Sequence, residues 1–168
     1  GIDVYRYFLL RDVPFGLDGN FSEEAIVKRL NGDLANDLGN LLYRTLTMIE
    51  KYYQGNMPEI KDIKYDTRAK TIEKKIRLLP EELAARFQPG SDFNFNSVLE
   101  KIWELINIAN KYIEDTKPWN LAKENRTDEL KSFICLLVEA IREVADKISP
   151  FMPQTAASII QQLGKDKI

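Results

Sequence analysis

Apolar residues recur along this chain at the spacing of helices that bury one face. Val98, Ile102, Leu105, Ile106, Ala109 and Ile113 follow the helical period and form one stripe. Leu130, Phe133, Ile134, Leu137, Ile141, Val144, Ala145 and Ile148 form a longer one, and Leu34, Leu38, Leu41, Leu42, Thr45, Ile49 and Tyr52 a third. Each stripe needs an apolar partner. Three of them in one chain predict an all-α fold, a helix bundle.

The residues between the stripes predict where the helices start and stop. Ser22 before Glu23 and Glu24 reads as an N-cap with acidic residues at the positive helix end. Asn31-Gly32-Asp33 interrupts the pattern, which predicts one helix from Ser22 to Leu30 and another from Asp33 to about Tyr53. Gln54-Gly55-Asn56-Met57-Pro58 closes the latter, with Gly55 available for a left-handed cap. From about Asp66 to Phe87 the spacing predicts a helix kinked or broken at Pro80. Gln88-Pro89-Gly90-Ser91 reads as a turn. A helix from about Phe95 should end at Lys117-Pro118. Thr127-Asp128 should cap the next, ending at Ser149-Pro150, and Gln154 to Leu163 reads as a last short helix. Tyr5-Arg6-Tyr7-Phe8-Leu9-Leu10-Arg11, rich in aromatic and apolar residues, reads as an element that packs against something else, with a turn-rich connection after it.

Composition narrows the chemistry. The 168 residues include 24 basic and 26 acidic side chains, one cysteine and no histidine. No histidine base, Ser-His or Cys-His dyad or histidine-ligated metal can be built from such a chain alone. One cysteine makes no internal disulfide, which fits a reducing compartment. No apolar run approaches a membrane span, and Gly1-Ile2-Asp3 does not read as a signal peptide. A formal charge of −2 argues against broad electrostatic binding of nucleic acid, so any such contact must be local.

Local geometry singles out a few side chains. At about 100° per residue, Asn36, Asn40, Arg44 and Thr47 lie close to one line on their helix, opposite Leu38, Leu42, Thr45 and Ile49. Amide and guanidinium groups suit the directional bonds that base edges require, although an ordinary solvated face has the same spacing. Trp119, after Lys117-Pro118, lies off the neighbouring stripes. It could stack on an unpaired base or plug the bundle between two helices. Trp103, beside Ile102 and Ile106, reads as core. Lys61, Lys64, Arg68, Lys70, Lys74, Lys75 and Arg77 against three acidic residues could meet phosphates, or form a solvated face. Cys135 reads as a core thiol.

Three blocks resemble a known family. Tyr5-Arg6-Tyr7-Phe8-Leu9-Leu10-Arg11-Asp12-Val13-Pro14-Phe15-Gly16 with Asp18-Gly19-Asn20-Phe21-Ser22 resembles the stretch after the KMSKS loop of methionyl-tRNA synthetases. Asn31-Gly32-Asp33-Leu34-Ala35-Asn36-Asp37-Leu38-Gly39-Asn40-Leu41 resembles the first long helix of their anticodon-binding domain. Asn110-Lys111-Tyr112-Ile113 and then Lys117-Pro118-Trp119-Asn120-Leu121-Ala122-Lys123 resembles their second signature. The resemblance implies a connector over residues 1–21 and an α-helical anticodon-binding domain over 22–168. It implies that Asn40 and Arg44 bond anticodon bases and Trp119 stacks on the wobble cytosine, with Asn36, Pro118 and Lys123 in support.

The implied partner is the CAU anticodon stem-loop of methionine tRNA, together with the enzyme's own catalytic domain reached through the N-terminal segment. The family joins methionine to tRNA with ATP, in the cytoplasm. Its HIGH-like and KMSKS motifs and zinc knuckle do not occur in these residues, so ATP and methionine are expected to bind elsewhere. This stretch alone should be inactive, with no cofactor or metal of its own. Anticodon bundles of the cysteine, leucine, isoleucine and valine enzymes, or a helical protein–protein adaptor, remain alternatives.

Overall fold

A computed structural model describes residues 1–13, 19, 21–58, 65–88 and 94–164. Among them every regular element is helical: α1 (Ile2–Asp12), α2 (Glu23–Arg29), a π-helical segment (Leu30–Gly39), α3 (Asn40–Tyr53), α4 (Thr67–Ala84), a 3-10 turn (Ala85–Phe87), α5 (Phe95–Thr116), α6 (Pro118–Lys123), α7 (Thr127–Ile148) and α8 (Pro153–Gln162). The all-α bundle expected from the stripes is the observed fold. Helices α5 and α7 form its centre. Leu99, Ile102, Leu105 and Ile106 of α5 and Ile134, Leu137, Ile141 and Val144 of α7 are fully buried, with α4 packed on both helices and α3 and α8 on α7.

The expected break at Asn31-Gly32-Asp33 does not occur. Chain direction is kept from Glu23 to Tyr53, because the middle section widens to i→i+5 turns instead of stopping. Tertiary bonds hold it there. Tyr7 donates to Asp33 Oδ2 at 2.6 Å, Arg29 Nη1 lies 3.2 Å from the same oxygen, and Asn110 Nδ2 donates to the Asp37 carbonyl at 3.0 Å. Such contacts override the helix-breaking tendency of Asn-Gly. Gly39 fits this widened section: a Cβ there would stand 3.0 Å from the Leu34 carbonyl oxygen.

Other boundaries follow the chain's punctuation, with shifts. Ser22 Oγ accepts from the Ala25 N–H at 3.1 Å, the expected cap. The left-handed residue closing α3 is Gln54 (φ 54°), with Gly55 (φ 80°) continuing in that region. Pro80 does not break α4, which runs on to Ala84 with Leu79 and Leu83 buried on either side of it. Thr127 is the first residue of α7 rather than its cap, and its hydroxyl donates to the Asn125 carbonyl instead. The turn read at Gln88-Pro89-Gly90-Ser91 falls mostly outside the described residues.

Helix α1 turns its inner face to the bundle. Tyr7 and Phe8 are fully buried, and the Tyr7 ring lies 4.7 Å from that of Trp103. Arg6 donates to the Pro150 and Phe151 carbonyls where α7 ends. Asp3 Oδ2 accepts from the backbone N–H and hydroxyl of Thr155 at 2.7 and 2.9 Å, capping α8 from another helix. The outward residues Ile2, Tyr5 and Leu9, at helical spacing, stay exposed.

Candidate nucleic-acid interface

Helix α3 is buried through Leu41, Thr45, Met48 and Ile49. Thr45 satisfies its hydroxyl on the Leu41 carbonyl at 2.8 Å, which lets a polar side chain sit in the apolar face. The opposite face carries the polar strip. Asn36, Asn40 and Thr47 are exposed, and the Arg44 side chain keeps 25% of its surface. Thr47 uses its hydroxyl on the Tyr43 carbonyl at 2.8 Å.

Arg44 is bound loosely. Its Nη1 stands 3.9 Å from Oε1 of the exposed Glu114, in the last turns of α5. An ion pair that long and that wet contributes at most about 1 kcal/mol, so the guanidinium remains available to a stronger acceptor. The pair nonetheless marks where α3 meets α5. Asn110, one turn earlier on α5, makes the second tie through the Asp37 carbonyl.

Trp119 lies just past that end of α5. Lys117 closes the helix in the left-handed region (φ 49°), its N–H on the Ile113 carbonyl at 3.1 Å. Its own carbonyl takes the Asn120 N–H at 2.8 Å, so the chain turns at once into α6. Pro118 supplies the first helical residue, where its missing donor costs nothing. Pro118 and Leu121 are buried, and Trp119 between them keeps 44% of its surface exposed. Trp119 is therefore not a plug within the bundle, whereas Trp103 is core as read. Lys123 closes α6 and is exposed.

The remaining candidates divide. In the basic run, Lys61 and Lys64 lie outside the described residues. Lys75 is consumed by Glu82 and Glu104 at 2.7 and 2.8 Å, and Arg68 pairs with Asp66 at 3.6 Å. Lys70, Lys74 and Arg77 are exposed on α4. Cys135 is half-buried rather than fully in the core, its Sγ 3.6 Å from the Pro58 carbonyl. Burial, and after it the charge of Glu139, pushes its thiol pKa up, which makes it a poor nucleophile. Burial and then Asp33 likewise raise the Asp37 carboxyl.

Sequence reasoning passed over three residues that shape this surface. Asn110 lay inside a quoted block without a role, and its partner is 73 positions away. Glu114 carries no periodic signal. Tyr43 falls beside the Asn40–Thr47 line at helical spacing, a signal that was present and is matched by its exposure.

Comparison with known proteins gives this surface a context. The family described as tRNA synthetases class I (M) matches residues 1–46, and the one described as anticodon-binding domain of tRNA ligase matches residues 88–168. The methionine–tRNA ligase of Caldanaerobacter subterraneus subsp. tengcongensis is 45% identical over 166 residues, covering 98% of this chain and 25% of the relative. That of Enterococcus faecalis is 42% identical over 168 residues, covering 99% and 24%. The chain thus spans about a quarter of the length of these relatives. Crystal structures of Mycobacterium tuberculosis methionyl-tRNA synthetase superpose on 95% of the chain at 37% identity, with TM-scores of 0.86 free and 0.87 with methionyl-adenylate, the chain covering 32% and 31% of them. By these matches the chain belongs to the methionyl-tRNA synthetase family, as the helical anticodon-binding part of such an enzyme.

Proposed function

We propose that this region reads the CAU anticodon of methionine tRNA, so that a catalytic part elsewhere in the enzyme can join methionine to the distant acceptor end. The observation that carries the reading is the joining of two groups at one end of α5. Asn40 and Arg44 lie on the open face of α3, tied there through Asn110 and Glu114, and the half-exposed Trp119 follows five residues after Glu114. Asn40 and Arg44 would bond base edges, and Trp119 would stack on the wobble cytosine. Asn36 and Lys123 would support from either side, while Pro118 holds the indole outward.

The domain supplies recognition, and through it position. Binding energy gained at the anticodon accelerates the reaction only by placing the acceptor end correctly. ATP and methionine would bind outside these residues. Residues 1–21 would form the connector, with Ile2, Tyr5 and Leu9 presenting the apolar surface against which the catalytic part docks. Among the described residues no helix is long and apolar enough to cross a membrane, and cytoplasmic work with tRNA is the setting proposed.

Binding of this chain to a methionine-tRNA anticodon stem-loop, against one with the wobble cytosine changed, tests the proposal at one fixed moderate salt concentration. The expected result is a preference for CAU that Trp119→Ala removes. Equal binding of both loops, or none of either, would overturn it.

A further inference from the structure

A second aromatic side chain stands beside the proposed anticodon strip. Tyr43 is 69% exposed, the largest exposure among the big hydrophobic residues of the described chain. It sits three residues after Asn40 and four before Thr47, so on α3 it borders the strip on one side as Arg44 does on the other. The two flanks differ in what they face. Arg44 leans toward Glu114 and the end of α5 that leads to Trp119. Tyr43 faces the other way, over an open groove of about 500 Å³ lined also by Leu46, Thr47, Glu50, Gly55 and Gln162.

Resting on the anticodon reading above, we infer that Tyr43 is a second stacking platform, which takes an unpaired base of the same RNA loop other than the wobble base. An aromatic face is attractive to any base, and each such stack is worth several-fold to over a hundredfold in affinity. A loop laid along α3 with one base on Trp119 and others against Asn40 and Arg44 continues toward Tyr43. There the groove offers an apolar wall in Leu46 and hydrogen-bonding side chains in Glu50 and Gln162. The groove directly continues the surface already assigned to RNA, which favours a nucleobase over any other occupant. Tyr43 contributes nothing to the core that a smaller residue would forfeit. Its backbone carbonyl, which holds Thr47, is kept by any substitution.

The test is a set of binding titrations with the CAU stem-loop and with loops made abasic at single unpaired positions. Tyr43→Ala should weaken the intact loop about tenfold, while Tyr43→Phe should stay within about twofold of the wild type, since stacking needs the ring and not the hydroxyl. On one abasic loop, at a position other than the wobble, Tyr43→Ala should cost nothing further. Unchanged binding by Tyr43→Ala, an equal loss on every abasic loop, or a Tyr43→Phe as weak as Tyr43→Ala would each overturn the inference while leaving a CAU preference of the wild type intact. A wild-type chain without that preference would overturn the anticodon reading and this inference together.

Discussion

The side-chain amide of Asn110 donates to the backbone carbonyl of Asp37 at 3.0 Å, and so joins the centre of the bundle to the π-helical stretch Leu30–Gly39. Wide i→i+5 turns are rare and leave carbonyls displaced from their usual partners, which is why they need help from outside the helix. Here the help comes from the helix whose end leads to Trp119. The strip bearing Asn36 and Asn40 is therefore referenced to α5 rather than free to slide along it.

Asn110→Ala should accordingly cost about 1–2 kcal/mol, the net worth of a hydrogen bond plus part of the penalty of an unsatisfied carbonyl. Asn110→Asp should cost more, because it sets an acceptor against an acceptor. Urea denaturation of the three chains measures both. A stability for Asn110→Ala equal to that of the wild type would mean that the wide section holds itself.

Gly39→Ala offers a sign to check. In an ordinary helix interior the change from Gly to Ala is stabilising by about 0.5–1 kcal/mol. At this position the new Cβ would meet the Leu34 carbonyl at 3.0 Å, tighter than backbone atoms accommodate without a shift. The expected outcome is no gain or a loss in the denaturation midpoint. A gain of the ordinary size would show that the section relaxes to a plain α-helix at no cost.

These two residues also mark what could be read from the sequence. The stripes through α3, α5 and α7 were visible because burial repeats with the helical period, and the burial of Leu38, Ile102 and Leu137 follows that reading. Asn40 and Arg44 were visible for the same reason, as the polar complement of a buried face. Continuity through Asn31-Gly32-Asp33 was not, because local preference said stop and the bonds that carry the helix through come from Tyr7 and Asn110, remote in sequence. The exposure of Trp119 was open between two readings until the burial of Pro118 and Leu121 on its own short helix decided it. The α8 cap could not be read at all, since the capping side chain is 152 residues away.

That cap, Asp3, gives a stability prediction confined to one end of the fold. Asp3→Ala removes the acceptor of the Thr155 N–H and hydroxyl. The loss should be about 1–2 kcal/mol, as for other helix caps. Hydrogen exchange should quicken first at the start of α8, before the centre of α7. The CAU preference should be unchanged, because no part of the proposed interface rests on α8's first turn. Uniform faster exchange across α5 and α7 would instead make α1 a support for the whole bundle.

Three tyrosines, Tyr7 and Tyr112 buried and Tyr65 half-buried, predict the behaviour in alkali. Burial, then the hydrogen bond and charge of Asp33, raises the pKa of Tyr7 far above its ordinary value. Burial, with Glu139 and Glu73 adding to it, raises Tyr65 to about 12, and burial followed by the charge of Asp66 raises Tyr112 to about 12. The unfolded chain ionises its tyrosines near pH 10. Below that pH both states hold these protons and the stabilisation is fully present. Above it the unfolded chain binds fewer protons than the folded one, so stability must fall as pH rises toward the folded values. Each fully buried tyrosine adds up to about 1.4 kcal/mol per pH unit to that slope. With no histidine in the chain, no such side chain adds a slope of its own between pH 6 and 8. Urea midpoints should therefore start to drop near pH 10 and descend steeply by pH 11.5. Tyr112→Phe, which cannot ionise, should start from a similar midpoint at pH 8 and descend less steeply. Parallel curves for the two chains would mean that Tyr112 reaches solvent before the fold opens.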